Sequence, residues 1–195
     1  FRSENSRFGC KLPTLGPCIY ECFFIVTIEM HLLTSIHNAM KSGLRKVHFL
    51  DGFTIYKRGM DAIEKGYFND KTILIYFSSS WCPSCKLFTP KLKRVYEDAQ
   101  RENLSLEVLW VSRDRSEDQL LKYYNSKLPP FVYFPYGSPQ ITAFLSQYDI
   151  KTIPAILLVD RNGSVASDSV RVPIENAETG DAIKLLGEWQ TLTNV

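Results

Sequence analysis

The chain has 195 residues, of which 45% are apolar, including 12 Phe and 10 Tyr. That content suffices for one hydrophobic core and argues against an intrinsically disordered chain. The 23 Lys and Arg residues nearly balance the 21 Asp and Glu residues, so the charge indicates neither a nucleic-acid partner nor a membrane partner.

The first 43 residues are predicted to be an extension of uncertain structure ahead of one domain at 44–195. Their main feature is a seven-residue apolar run at 22–28, between Glu21 and Glu29. This run is too short to span a bilayer and no Ala-x-Ala cleavage pattern follows it, so we expect no secretion. Within the extension, 30–40 is a candidate helix.

Five cysteines are an odd number, and three of them cluster near the start: Cys10, Cys18 and Cys22. A small secreted domain held together by disulfides normally carries a dense and even set. We therefore expect a reducing compartment, namely the cytoplasm, with the nucleus as a second location.

The domain is predicted to begin with two short strands at 46–50 and 54–56. Asp51-Gly52 between them is typical of a tight turn. A short helix is predicted at 61–65, ending at Gly66.

The central stretch joins a strand to a helix at a pair of cysteines. An apolar run at 73–77 predicts a strand buried on both faces, and it leads into Trp81-Cys82-Pro83-Ser84-Cys85. Apolar residues then recur at helical spacing: Leu87, Phe88, Leu92, Val95 and Tyr96. Pro90 inside this helix predicts a kink.

This placement points to thiol chemistry. A cysteine in the first turn of a helix faces free backbone N–H groups and the positive end of the helix dipole, which lower a thiol pKa from about 8.5 to roughly 3.5–7.5. Cys82 is therefore the candidate nucleophile, and Cys85, one turn further on, is the candidate resolving thiol. Pro83 pre-sets a helical φ. A hydrogen bond from Ser84 to the thiolate is a further hypothesis.

The alternative for the pair is half of a zinc site, completed by Cys18 and Cys22. Such a site would occupy the nucleophile, and the strand, tryptophan and helix around the pair favour redox chemistry instead. The histidines lack metal-ligand spacing, so we expect neither a metal nor a bound cofactor; they are His31, His37 and His48.

The remaining elements are predicted from their apolar patterns. A strand at 104–112 is followed by a helix that starts at Ser116 and runs to about 126, so that strand, helix and strand form a parallel βαβ unit. A loop or irregular strand at 131–139 carries four aromatic residues that we expect to pack in the core: Phe131, Tyr133, Phe134 and Tyr136.

A helix is predicted at 140–148, before a buried strand that Pro154 opens. Its position suggests a cis peptide bond between Ile153 and Pro154. The turn at 161–163 predicts antiparallel pairing with a strand at 165–170, and a helix at 182–189 closes the chain.

Taken together, the strand, Trp-Cys-x-x-Cys, the helix with its proline, the second parallel strand and Ile153-Pro154 resemble the thioredoxin fold. That resemblance implies an α/β domain with a central mixed sheet flanked by helices. It also implies that Pro154 lies beside the cysteines and that the backbone of Ile153 pairs with extended substrate. Trp81 is expected to be an exposed ledge that meets substrate together with Pro83 and Ser84, and packing in the core is the alternative for Trp81.

Within the fold, the chain over about 44–171 is most similar to the nucleoredoxin and tryparedoxin branch. The similar segments are Tyr76-Phe77-Ser78, Phe88-Thr89-Pro90, 111–117 and Thr152-Ile153-Pro154. Tyr76 replaces the buried Asp of classical thioredoxins. The chain departs from the branch in three features: Ser84 replaces the second proline of the motif, Leu128-Pro129-Pro130 replaces Met-Pro-Trp, and the charged tail resembles that of the branch only loosely. Arg171 aligns with a basic partner-contacting position, and a solvated arginine at a strand end is the alternative.

We therefore predict a monomeric protein-disulfide reductase whose partners are disulfide-containing proteins and an external dithiol or reductase. A redox-sensitive adaptor of nucleoredoxin type, which binds a signalling partner through the same face, is the first alternative. A disulfide oxidase or isomerase is the second, and it requires the run at 22–28 to be an export signal.

Overall fold

The computed structural model describes residues 47–193. The predicted extension, its candidate helix at 30–40 and the cysteines at 10, 18 and 22 lie outside the described residues.

A seven-stranded mixed sheet forms the centre of the described part. Its strands are β1 (Tyr56–Lys57), β2 (Met60–Ala62), β3 (Thr72–Ser78), β4 (Leu106–Ser112), β5 (Val132–Tyr133), β6 (Ala155–Val159) and β7 (Val165–Ser167). Their order across the sheet is β2-β1-β5-β4-β3-β6-β7. The β3–β4 and β4–β5 pairs are parallel and the other pairs are antiparallel.

Helices cover both faces of this sheet. They are α1 (Pro83–Arg101), α2 (Glu117–Lys127), α3 (Pro139–Gln147), α4 (Arg171–Asn176) and α5 (Ala182–Thr193), and a 3-10 helix spans Phe49–Gly52. Buried residues of α1, α2, α4 and α5 share one apolar cluster, whereas α3 and the 3-10 helix contribute to the cluster on the opposite face.

Strand β3, an interior strand of the sheet, is buried along its whole length because both faces of the sheet are covered. Its side chains alternate between the two clusters: Leu74 and Tyr76 lie in the first, and Ile73, Ile75 and Phe77 lie in the second. The continuous apolar run is the sequence signature of such a strand, and the prediction at 73–77 is confirmed.

Helix α1 places the cysteine pair at the carboxyl end of β3. Cys82 is its N-cap residue and Pro83 stands at its first position, where no N–H is needed. The helix packs a face made of residues three and four apart against the sheet, and it continues through Pro90 to Arg101. The kink at Pro90 stays a prediction.

The predicted strand at 46–50 is wrong over its described part, because the chain forms a 3-10 helix there. Nδ1 of His48 accepts a hydrogen bond from the Leu50 N–H (3.2 Å), and Asp51 accepts one from the His48 N–H (3.1 Å). These local bonds compete with a strand ladder. Burial lowers the pKa of His48 to about 4, so its ring stays neutral and able to accept.

The helix predicted at 61–65 is also wrong. Met60–Ala62 forms β2, which pairs antiparallel with β1 through a turn at Arg58-Gly59, so the hairpin lies later than the predicted turn at Asp51-Gly52. Gly59 has a φ of 76°, a conformation that side chains disfavour. Tertiary pairing of β1 with β5 thus overrides the local pattern.

Near the end of the chain, the predicted strand at 165–170 is too long. β7 ends at Ser167 and a further helix, α4, begins at Arg171, so this arginine is not at a strand end. The antiparallel β6–β7 hairpin, the closing helix and the second parallel strand are confirmed. Among residues 47–193, no helix has both the length and the apolarity needed to cross a bilayer.

Candidate active site

The two motif cysteines form a disulfide at the first turn of α1. Their Cα atoms lie 5.2 Å apart. The N–H of Cys85 donates to Sγ of Cys82 (3.1 Å), which is the contact expected to stabilise a thiolate when the pair is reduced. Cys82 is 5% exposed and Cys85 is 0% exposed, so Cys82 is the more accessible of the two to an external sulfur.

The loop before β6 closes one side of the disulfide. The Ile153–Pro154 peptide bond is cis, as predicted, and the carbonyl oxygen of Ile153 lies 3.8 Å from Sγ of Cys82. Pro154 is buried and Ile153 is partly buried. The structure thus brings together residues that are 71 positions apart in the chain.

Trp81 directly precedes Cys82 and is 43% exposed. Its indole N–H donates to the carbonyl oxygen of Arg113 (3.1 Å), and the guanidinium of Arg115 lies 5.2 Å from the ring centroid. The hydroxyl of Tyr136 donates to the carbonyl oxygen of Arg115 (2.8 Å), which ties this loop to the aromatic segment. Pro83 and Ser84 are exposed beside the tryptophan.

Asp114 anchors the turn that carries the motif, a role that the sequence alone did not reveal. One carboxylate oxygen accepts from the N–H (2.8 Å) and the hydroxyl (2.6 Å) of Ser80, and the other accepts from the hydroxyl of Ser112 (2.7 Å). The contact between Asp114 and Ser80 could have been predicted from the strand topology. Because β3 and β4 are parallel and Ser78 pairs with Ser112, residues just after both strands must meet.

Replacing Asp114 with alanine is expected to lower the free energy of unfolding by about 1–3 kcal/mol, because the partly buried donors of Ser80 and the hydroxyl of buried Ser112 lose a charged acceptor. The loop that holds Trp81 should loosen as well. Acrylamide quenching of tryptophan fluorescence reports on that change, since Trp110 and Trp189 are both buried. Asp114→Asn retains one acceptor oxygen and is the matched control with a smaller effect. Equal quenching in the parent and the alanine variant would contradict this anchoring role.

Tyr76, in place of the classical aspartate, is fully buried beneath α1. Its hydroxyl is hydrogen bonded to that of Thr89 (2.9 Å), which is in turn bonded to that of Tyr123 (3.1 Å). Burial raises the pKa of Tyr76 to about 12, so the phenol stays protonated near neutral pH. Tyr76 therefore cannot act as a carboxylate base would, and proton transfer at Cys85 requires another group or water.

Among the other candidate residues, Arg171 contacts side chains of α4 and α1, and most of the aromatic segment packs in the core. Arg171 bonds Glu175 (2.9 Å) within α4, and its guanidinium lies 5.6 Å from the ring centroid of Phe88. Three of the four aromatic residues at 131–136 are at least partly buried, as expected, whereas Tyr136 is exposed.

The zinc alternative cannot be completed within the described part of the chain. Cys18 and Cys22 lie outside it, and the residues at 47–193 include no group of three or more His, Cys, Asp or Glu side chains that could hold a metal.

A thioredoxin-like family model matches residues 69–165, which include the disulfide and the cis proline. The fold itself is similar to thioredoxin from Wuchereria bancrofti, with a TM-score of 0.61, 26% identity, and coverage of 74% of this chain and 98% of that one. The chain belongs to the thioredoxin-like superfamily. The predicted fold class is thereby confirmed.

Relatives of this thioredoxin-like chain place it in the nucleoredoxin and tryparedoxin branch. It is 33% identical to probable nucleoredoxin 1 of Arabidopsis thaliana over 101 residues. These aligned residues make up 52% of this chain and 17% of that protein. Tryparedoxin I of Crithidia fasciculata has a TM-score of 0.59 and 28% identity, covering 68% of this chain and 92% of that one. The chain thus spans only a small part of the nucleoredoxin and most of the tryparedoxin.

Proposed function

We propose that this thioredoxin-like oxidoreductase reduces disulfides in proteins. The observation that carries the proposal is the Cys82–Cys85 disulfide at the first turn of α1, in which Cys82 is slightly exposed and Cys85 is fully buried. The N–H of Cys85, which points at Sγ of Cys82, supports the same assignment because it stabilises a sulfur anion.

The reaction starts from the dithiol form. The Cys82 thiolate attacks one sulfur of a substrate disulfide, the substrate S–S bond breaks, and the departing substrate thiolate takes up a proton. Cys85 then loses its proton and attacks Sγ of Cys82. This second exchange releases the other substrate thiol and leaves the Cys82–Cys85 disulfide, the form seen in the structure. Two electrons pass to the substrate, and an external dithiol or reductase restores the dithiol.

The proposed substrate groove runs between Trp81 and the loop at Ile153-Pro154. Trp81, Pro83 and Ser84 are exposed on one side, and the Ile153 carbonyl lies next to the reacting sulfur on the other. An extended segment in this groove can pair with the backbone of Ile153 and present its disulfide to Cys82. Because this groove is open at the surface, it suits an extended protein segment better than a small molecule that binds in an enclosed pocket.

Monomeric action in the cytoplasm, with the nucleus as a second location, is part of the proposal. A reducing compartment keeps the dithiol form available, which a reductase requires and an oxidase does not.

Reduction of insulin by dithiothreitol, followed by turbidity, tests this function. The full chain is expected to accelerate precipitation of the insulin B chain well beyond the rate with dithiothreitol alone. Absence of any acceleration by protein that carries an intact, reducible Cys82–Cys85 disulfide would refute the reductase assignment and favour the redox-sensitive adaptor. Mass spectrometry after alkylation, before and after reduction, establishes that the disulfide is intact and reducible.

A further inference from the structure

A cleft of about 750 Å³ opens between α1 and α2, beside the disulfide and on the face of the sheet that carries both helices. It is lined by Ser80, Lys86, Thr89, Pro90, Lys93, Gln119, Lys122, Tyr123, Ser126 and Lys127. Four of these ten residues are lysines and none is acidic, so we call it the lysine cleft. The local excess of positive charge contrasts with the near-neutral charge of the whole chain.

The cleft lysines are largely free to meet an external anion. Lys93 forms an ion pair with Glu97 (3.6 Å), but both side chains are about half exposed and such pairs contribute little. Within residues 47–193, Lys86, Lys122 and Lys127 form no ion pair. Lys122 and Lys127 extend from an exposed side of α2.

The cleft wall adds hydroxyl groups to these cations. The hydroxyls of Thr89 and Tyr123 are bonded to each other, and burial raises the pKa of Tyr123, so its phenol keeps its proton. A carboxylate in the cleft could therefore accept a hydrogen bond from the phenol of Tyr123, a neutral donor, as well as from lysine ammonium groups.

The spacing of the charges points to an extended anion. Lys86 and Lys93 are two turns apart on α1, about 10 Å along the helix axis, and Lys122 and Lys127 are about 7.5 Å apart on α2. A single phosphate needs donors that converge on one point. Several carboxylates on an extended peptide match these intervals, because such a chain covers 10 Å in about three residues.

The position of the cleft identifies which peptide would occupy it. Ser80 and Lys86 flank the cysteine motif directly, so a protein docked at Cys82 can continue into the cleft. We propose that the lysine cleft binds an acidic segment of the protein whose disulfide is reduced at Cys82. This inference rests on the proposed reductase function and deepens it by naming a class of substrate.

The kinetic test compares two cystine-containing peptides that differ only in one flank, with four Glu in one and four Gln in the other. The parent is expected to reduce the Glu peptide with a kcat/KM about tenfold higher at low salt. Lys122→Glu/Lys127→Glu should abolish this preference and leave the Gln peptide unaffected. The matched control is Lys65→Glu/Lys184→Glu, which makes the same charge change at exposed positions outside the cleft and should keep the preference.

A binding test separates failure of the cleft from failure of the reductase function. A fluorescent Glu-rich peptide without cysteine should bind the oxidised parent and the control, and bind Lys122→Glu/Lys127→Glu at least about tenfold more weakly. Reduction of neither cystine peptide would refute the reductase function, yet this measurement would still decide whether the cleft takes an acidic peptide.

Three outcomes would overturn the proposal. They are equal binding of the Glu-rich peptide to the parent and the cleft variant, stronger competition by inorganic phosphate than by unlabelled peptide at matched ionic strength, and stronger competition by a short single-stranded oligonucleotide. The last two would assign the cleft to a single phosphate or to nucleic acid. Circular dichroism of every variant confirms that the fold is retained.

Discussion

Cys82→Ser should lower the rate of insulin reduction to the rate with dithiothreitol alone, which is the largest effect expected from any single substitution. A serine hydroxyl is not ionised near neutral pH and cannot attack a disulfide, so the first exchange does not occur. Cys85→Ser should also abolish turnover, but for a different reason. In Cys85→Ser, Cys82 can still form a mixed disulfide with the substrate, but no internal thiol remains to resolve it.

A covalent complex distinguishes the two variants. Incubated with a disulfide substrate, Cys85→Ser should accumulate a mixed disulfide that is seen on a non-reducing gel and disappears with dithiothreitol, whereas Cys82→Ser should form none. Each variant is the control for the other, because both exchange one sulfur for one oxygen in the same turn of α1. Capture of substrate by Cys82→Ser would show that the roles of the two cysteines are reversed, in conflict with their unequal exposure.

The second large effect concerns stability, at the far end of the sheet from the disulfide. The carboxylate of Glu107, which is nearly inaccessible, accepts from Nζ of Lys57 (2.6 Å) and from the hydroxyl of Tyr67 (2.6 Å), with the Tyr96 hydroxyl at 3.3 Å. Burial and then the nearby carboxylate raise the pKa of both tyrosines, so they remain donors. The cluster joins β1, β4 and α1 through one charge.

Lys57→Met should lower the free energy of unfolding by about 3–5 kcal/mol, because it leaves a buried carboxylate without its cation. The double variant Lys57→Met/Glu107→Gln should recover much of that loss, since no charge is then buried and the amide oxygen can still accept from one of the two tyrosine hydroxyls. Urea unfolding at pH 7 measures both changes.

Lys65→Met is the matched control for this series, because Lys65 is exposed and its replacement should shift the free energy of unfolding by less than about 0.5 kcal/mol. A cost below about 1 kcal/mol for Lys57→Met would mean that the buried pair does not hold β1 to the sheet. If the double variant does not recover stability, the loss in the free energy of unfolding arises from the packing of the lysine stem.

The sequence predicted the parts of the candidate active site whose signals are local. The apolar run of β3 and the helical spacing after Cys85 fixed a strand, turn and helix around the cysteines, and the proline before β6 indicated the cis peptide. Its predictions failed at 46–50 and 61–65. There, a side-chain cap at His48 and a distant pairing of β1 with β5 decided the structure.

The amino-acid sequence by itself determined that Cys82 stands at a helix start with Cys85 one turn away, because adjacent residues dictate helix and strand through their spacing. Only the tertiary structure decided which distant residues meet, both beside the pair and at the far end of the sheet. Asp114 reaches Ser80 across 34 positions, Lys57 reaches Glu107 across 50, and lysines of two helices share one cleft. Such contacts depend on the order and direction of the strands, which bring distant residues together and leave no periodic trace in the chain.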